Sequence, residues 1–152
     1  GEGDMRIYLA ARYSRREELC RYAAELRELG HVVDARWLLG QHQLHDGALE
    51  VEAAELDMPD QAVPFAQDDI EDIDRADVVI CFTEKPRSNS SRGGRHVEFG
   101  YALAMGKPIV VIGPRENVFY TLPQVEQYGN WLLFKAERWP KWRTGSWWAT
   151  AR

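Results

Sequence analysis

The chain has 152 residues, 45% of them apolar and 28% charged, with a net charge of -5, which is the size and balance of one globular domain. At this length roughly two-thirds of the unfolded chain's surface is buried on folding, so neither a disulfide scaffold nor a structural metal is required. Apolar stretches such as residues 78–82 and 109–112 fall far short of the ~20 residues of a membrane-spanning helix, and the acidic balance argues against a protein that coats nucleic-acid phosphates.

Residues 1–4, ahead of Met5, read as a non-native remnant, and no signal-peptide pattern follows them. Cys20 and Cys81 lack C-x-x-C spacing or a metal-ligand grouping, so the expectation is two structural thiols in a reducing, cytoplasmic setting. Residues 6–11 (RIYLAA) predict a short buried strand closed by a polar turn. Ser14 then reads as a helix N-cap, with Glu17 completing a capping box. Leu19, Tyr22, Ala23, Leu26 and Leu29 share one helical face, and Gly30 supplies the stop. Residues 31–35 (HVVDA) fit a second strand. Residues 38–64 show no clear period and read as a variable excursion with one short helix around residues 49–56.

Residues 68–75 predict a short acidic helix with Ile70 and Ile73 inward, leading into a third strand at residues 77–82. After a loop rich in Ser, Asn, Gly and Arg, residues 95–105 predict a helix stopped by Gly106. Residues 108–112 form the fourth predicted strand and residues 131–134 the fifth. Strands alternating with helices imply an α/β domain with a parallel sheet covered on both faces, and ligands in such sheets sit at the carboxyl ends of the strands. Residues 138–152 form a basic segment holding Trp139, Trp142, Trp147 and Trp148, read as a tail that packs on its own domain or on a partner subunit rather than as a nucleic-acid platform.

The net charge conceals a division. Residues 46–77 hold twelve acidic side chains and one basic one, Arg75, whereas residues 6–36 carry seven arginines and residues 85–95 four more basic groups. Most of these read as solvated faces. The informative stretch is residues 88–108, which places Glu98 in the predicted first turn of a helix behind a loop whose Ser90, Ser91, Gly93 and Gly94 offer hydroxyls and backbone N–H groups to an anionic oxygen. A lone acid there only complements the helix dipole; the loop in front of it is what raises its standing. No Gly-Lys-Ser/Thr and no G-x-G-x-x-G follows a strand at the right distance, so ATP hydrolysis and dinucleotide redox chemistry lack support.

The run from Asp69 through Ala76-Asp77-Val78-Val79-Ile80 to Gly94-x-x-x-Glu98-x-Gly100-Tyr101-Ala102-x-Ala104-x-Gly106-Lys107-Pro108 resembles the nucleoside 2-deoxyribosyltransferase family. Its relatives include the 2'-deoxynucleoside 5'-phosphate N-hydrolases and the CMP or hydroxymethyl-CMP hydrolases, and the His96-Val97-Glu98 triplet is nearest the last group. The resemblance spans residue 5 to about residue 134 in element order. It implies a single flavodoxin-like (Rossmann-like) three-layer domain with a five-stranded parallel sheet at residues 5–137, the Trp-rich segment following it. It also implies cleavage of the bond between sugar C1' and a nucleobase without metal or cofactor, on a small-molecule nucleoside or nucleotide, usually by a homodimer or larger oligomer.

By that resemblance Glu98 is the nucleophile that forms a glycosyl-enzyme, and Asp69 the acid that assists the departing base. Such a bond breaks through an oxocarbenium-like state, which a carboxylate near C1' stabilises. The first loop, Tyr13-Ser14-Arg15-Arg16, is implied to contact base or sugar and, in the nucleotide hydrolases, a 5'-phosphate. On residue chemistry alone Tyr13 has two readings, a ring stacked on a base or one capping the sheet edge; Ser14 is equally a cap, and Arg15 and Arg16 are either solvated or, opposite Ser90, Ser91 and Arg92, a phosphate clamp that favours a nucleotide over a free nucleoside. His96 reads as a satisfied loop or cap histidine, and Asn117 or Tyr120 as a residue closing the pocket of the same or a neighbouring subunit. The rival function is a non-catalytic nucleotide-binding or sensing domain. The loop before Glu98 is longer than the family's short serine–glycine pattern.

Overall fold

The computed structural model describes residues 4–40, 57–88 and 91–144, with side chains to Arg138. Four parallel strands, β1 (Ile7–Ala10), β2 (Val78–Phe82), β3 (Ile109–Ile112) and β4 (Val125–Tyr128), pair in the order β1-β2-β3-β4. The first three are buried at every position, as expected of short aliphatic runs in a sheet covered on both sides. Tyr8 lies opposite Val79, and Cys81 opposite Val111.

Because side chains alternate between faces, Tyr8, Val79 and Cys81 point one way and Phe82 the other. The Phe82 face is covered by α1 (Arg16–Glu28) and α4 (Trp131–Thr144). There the Tyr22 ring stacks on Phe82 at 5.5 Å and on Trp131 at 4.4 Å, and Trp131 donates its indole N–H to Glu25 at 2.6 Å. The Tyr8 face is covered by α2 (Val63–Arg75) and α3 (Gly94–Ala104). These two helices are joined by a hydrogen bond of 2.5 Å from the Tyr101 hydroxyl to Asp74.

Four expectations change. The predicted second strand is reduced to one parallel bridge, Arg6 to Val32, on the free edge of β1. Ile7 N–H donates to the Val32 carbonyl at 2.8 Å, but Asp34 then pairs with Arg6 at 2.6 Å and the chain turns into a 3-10 turn at Arg36–Leu39. The sheet therefore has four strands, not five. The segment at residues 131–134 is helix, not strand: Asn130 accepts the Leu133 N–H at 2.9 Å as a cap, and Trp131 and Phe134 are buried while Leu132 and Leu133 are exposed. That spacing of three marks one helical turn, and the last strand lies just before it. Ser14 caps nothing; it sits in a 3-10 turn, Tyr13–Arg15, and α1 begins at Arg16 with no side-chain cap. The acidic helix is longer than predicted, since Pro64 is accepted in its first turn, and its buried residues are Ile73 and Asp72, with Ile70 only half-buried. The short helix expected around residues 49–56 lies outside the described residues.

The loops at the carboxyl ends of the strands touch closely. Gly113, just after β3, has φ 120° and donates its N–H to the Tyr128 carbonyl at 2.8 Å. A Cβ there would stand 2.5 Å from the Thr83 hydroxyl oxygen and 3.2 Å from the Thr83 carbonyl. Gly113→Ala is expected to lower stability by about 2 kcal/mol in chemical denaturation. Gly94→Ala, where a Cβ meets nothing within 4 Å, should stay within about 0.5 kcal/mol of the parent.

Candidate active site

The site begins with a hydroxyl that has to be satisfied. Tyr8 is 1% exposed in the middle of an apolar strand, and a phenol buried there needs a polar partner. It finds Glu98, to which its O–H donates in a short hydrogen bond. Glu98 lies in the second turn of α3, since the helix opens at Gly94 and has no acidic residue in its first turn, which corrects the first-turn expectation and removes the helix dipole as its explanation. The residue is part-exposed while its carboxyl is buried against β1.

Asp69 of α2 joins this group from the other helix on the same face. Burial pushes Glu98 up to about 8; the nearby Asp69 charge adds to the shift and the Tyr8 hydrogen bond opposes it. Burial also pushes Asp69 up to about 7, aided by the charges of Asp72 and Asp68 and opposed by the Tyr8 hydroxyl and Arg36. Burial and both carboxylates push the Tyr8 phenol upward, so it stays a donor. Two carboxyls held this way titrate as a unit, and near neutral pH the group retains proton to give. Paired carboxyls in a partly closed, low-dielectric place are suited to nucleophile and acid roles.

A second set of contacts fixes the approach to α3. Arg95, in the first turn, is buried with Glu116 in an ion pair whose side chains are 5% and 9% exposed; its Nη2–Oε2 distance is 2.9 Å. Glu116 also accepts the Glu84 N–H at 3.0 Å, so one carboxylate ties the helix start to the loops after β2 and β3. His96, in the first turn of α3 rather than in a loop, has Nδ1 3.0 Å from the Tyr120 hydroxyl, so the histidine is satisfied by a protein partner. Gly93, the N-cap of α3, has φ 87° and no side chain to cap the helix, and its carbonyl takes the His96 N–H at 3.0 Å, so the Gly94 and Arg95 N–H groups are those an anion would meet at this helix start.

The remaining expected site residues fall in different places. Tyr13 is half-buried, its ring 6.2 Å from Trp37. Ser14 is exposed. Arg15 turns to the α1–α4 side, where it bonds Glu18 at 2.8 Å and Glu84 at 2.7 Å and lies over the Phe82 ring. Arg16 packs its guanidinium against Gly40. Ser91 is exposed ahead of α3, Gly94 is the first residue of the helix, and Ser90 lies outside the described residues. Asn117 accepts the Phe119 N–H at 3.0 Å and so caps the 3-10 turn Val118–Thr121. Glu98 and Asp69 are thus brought together, whereas Arg15 and Asn117 are engaged elsewhere. Tyr8 is the residue sequence reasoning passed over, and its signal was a hydroxyl inside an otherwise apolar strand.

Among the described residues no group of three or more His, Cys, Asp or Glu side chains is placed to hold a metal ion, and no helix is long and apolar enough to cross a membrane.

A parallel α/β sheet carrying a buried carboxyl pair on one face defines the class, and residues 7–131 match the nucleoside 2-deoxyribosyltransferase family. The chain belongs to that family. Its fold is similar to that of the Clostridium botulinum CMP N-glycosidase BcmB, with a TM-score of 0.51 and 22% identity, over 87% of this chain and 96% of that one. No curated protein is similar enough to match.

The raised Glu98 value has a consequence for stability. A carboxyl shifted upward by folding contributes stability that is fully present below its unfolded value, near 4.5, and is lost as pH rises through about 8. Glu98→Gln lacks this loss but keeps an acceptor for Tyr8. The melting temperature of the variant, relative to the parent, is therefore expected to rise between pH 5 and pH 9; a difference that stays flat would show that Glu98 titrates normally.

Proposed function

We propose that the protein cleaves the N-glycosidic bond of a nucleoside or, by preference, a nucleoside 5'-monophosphate, with Glu98 as nucleophile and Asp69 as acid. The observation that supports it most is the Tyr8-centred junction of the two carboxyls on the sheet face between α2 and α3. A Glu98 oxygen attacks C1' as the C1'–N bond breaks, and the departing base takes the proton from Asp69. Water, or the nitrogen of another base, then attacks C1' of the glycosyl-enzyme. Asp69 accepts the proton of that attacking group, and Glu98 leaves as carboxylate.

Burial raises both carboxyls, so ionised Glu98, the form its role needs, is disfavoured. The transition state offsets this, because positive charge grows at C1' beside Glu98 as the bond breaks and favours its ionised form. The start of α3, with the Gly93 N-cap and the Gly94 and Arg95 N–H groups behind Ser91, suits a 5'-phosphate. From the first loop, Tyr13 remains the proposed contact to base or sugar and Arg16 the proposed contact to the phosphate.

The fold's likeness to a CMP N-glycosidase makes CMP the first substrate to test. The protein is incubated with ribo- and deoxyribonucleosides and their 5'-monophosphates, with and without an acceptor base, and products are separated by chromatography. Free base is expected from a monophosphate, and a new nucleotide when transfer competes with water. Glu98→Ala should lower the rate by about a thousandfold or more and Asp69→Asn by about a hundredfold. Base release that survives Glu98→Ala would overturn the assignment, and melting shifts with every nucleotide but no base formed would make the domain a binder.

A further inference from the structure

Asp72 does not behave as part of a solvated acidic face. Its side chain is 4% exposed, and it accepts the Arg36 backbone N–H at 2.9 Å and the Arg36 guanidinium at 2.9 and 3.1 Å. Arg36 belongs to the 3-10 turn that follows the single bridge beside β1. The same guanidinium meets Asp68 at 3.0 Å, and Glu71, more exposed, at 3.7 Å. One cation thus gathers three acids of α2. A carboxylate buried at this depth is costly unless paired, and Ile73, wholly buried one residue on, already supplies the apolar contact of this helix turn.

Asp69 sits between these acids: it follows Asp68 directly and precedes Asp72 by three residues, a separation that makes neighbours on a helix surface. We propose that the Arg36–Asp72 pair is a positioning element for Asp69, locking the rotation of α2 against the Arg36 turn so that Asp69 meets Tyr8 and Glu98, and setting the charge around it. This rests on the reading of Asp69 as the acid of the reaction.

The two halves of the pair act on Asp69 in opposite senses. The groups that face it are Tyr8 from β1, Glu98 from α3, Asp68 and Asp72 from its own helix, and Arg36 from the turn. Asp72 and Asp68 favour the protonated form of Asp69, whereas Arg36 favours the ionised form. A merely structural clamp predicts that losing either partner loosens α2 in the same way. A charge-setting element predicts shifts of opposite sign.

The experiment follows the carboxyl carbon of Asp69 by NMR in labelled protein, its signal assigned by its disappearance in Asp69→Asn. Asp72→Asn is expected to move the Asp69 midpoint down, and Arg36→Gln to move it up, each by about one pH unit. Arg36→Lys should return the midpoint toward the parent, since the charge is kept. If Asp72→Asn does not fold, the Arg36→Gln and Arg36→Lys pair decides alone, because Arg36 is a third exposed and its variants leave α2 its apolar contacts. Any pattern other than these shifts overturns the proposal. The outcome is separate from the catalytic reading: base release from CMP at the parent rate by Asp69→Asn would remove the acid role while leaving the charge coupling standing, and an unmoved midpoint with an inactive Asp69→Asn would do the reverse.

Discussion

The hydrogen bond from Tyr8 to Glu98 is the contact on which the arrangement of the site depends. It joins the first strand to the fifth residue of a helix ninety positions later in the chain, and that helix is held in turn to α2 by Tyr101 and Asp74. Tyr8 can reach Glu98 only because β1 pairs with β2 in a register that turns Tyr8 and Val79 to the same face. A slip of one residue would send the phenol to the α1–α4 side, among the Tyr22, Phe82 and Trp131 rings. The burial of β1–β3 is therefore more than core formation: it fixes which face the hydroxyl occupies and, with it, which two helices supply carboxyls.

The division of charge along the sequence is resolved in three dimensions by pairing. Arg15 binds Glu18 and Glu84, Arg36 binds Asp68 and Asp72, Arg95 binds Glu116, and Arg6 binds Asp34. Most of these link elements far apart in the chain; the Arg15 and Arg95 pairs do so at the carboxyl ends of the strands, whereas Arg6 lies before β1 and Arg36 holds a turn to α2. That differs from a row of free guanidinium groups awaiting a phosphate. The proposed anion place is left to the backbone at the start of α3, whose first turn is held by Arg95 pairing with Glu116.

Much of this was legible in the residues, and the rest was not for identifiable reasons. The short aliphatic runs at β1, β2 and β3, the stop at Gly106 and the Asp69 to Pro108 pattern carry signals that do not depend on tertiary partners, and the family match covers the same stretch. Residues 131–134 were misjudged because four apolar residues fit a strand or one helical turn equally well, and the Asn130 cap that decides between them is visible only once the chain is folded. Residues 31–35 have strand composition, but Asp34 is drawn to Arg6 and ends the pairing after one bridge. Tyr8 was hidden by its setting, since an aromatic in a buried strand is normally core, and only the position of Glu98 across the interface distinguishes this one. Asp72 was hidden by its neighbours, being one acid among twelve.

These features bear on how a small domain could lower the barrier to glycosidic cleavage in the proposed reaction. Ionising Glu98 is opposed by burial and by Asp69, so the charged form the chemistry requires is held at a disadvantage. Water could relieve that disadvantage only by flooding the site, which would weaken every charge interaction in it. An oxocarbenium-like sugar relieves it directly, because its positive charge develops where the negative charge is least solvated. The interaction is small with a neutral glycoside and large in the transition state, which is the condition for accelerating the reaction rather than merely binding the substrate. A carboxyl with an ordinary solvated environment at position 98 would bind the same sugar with less difference between the two states, and the burial that destabilises Glu98 is thus the same property that would make it effective.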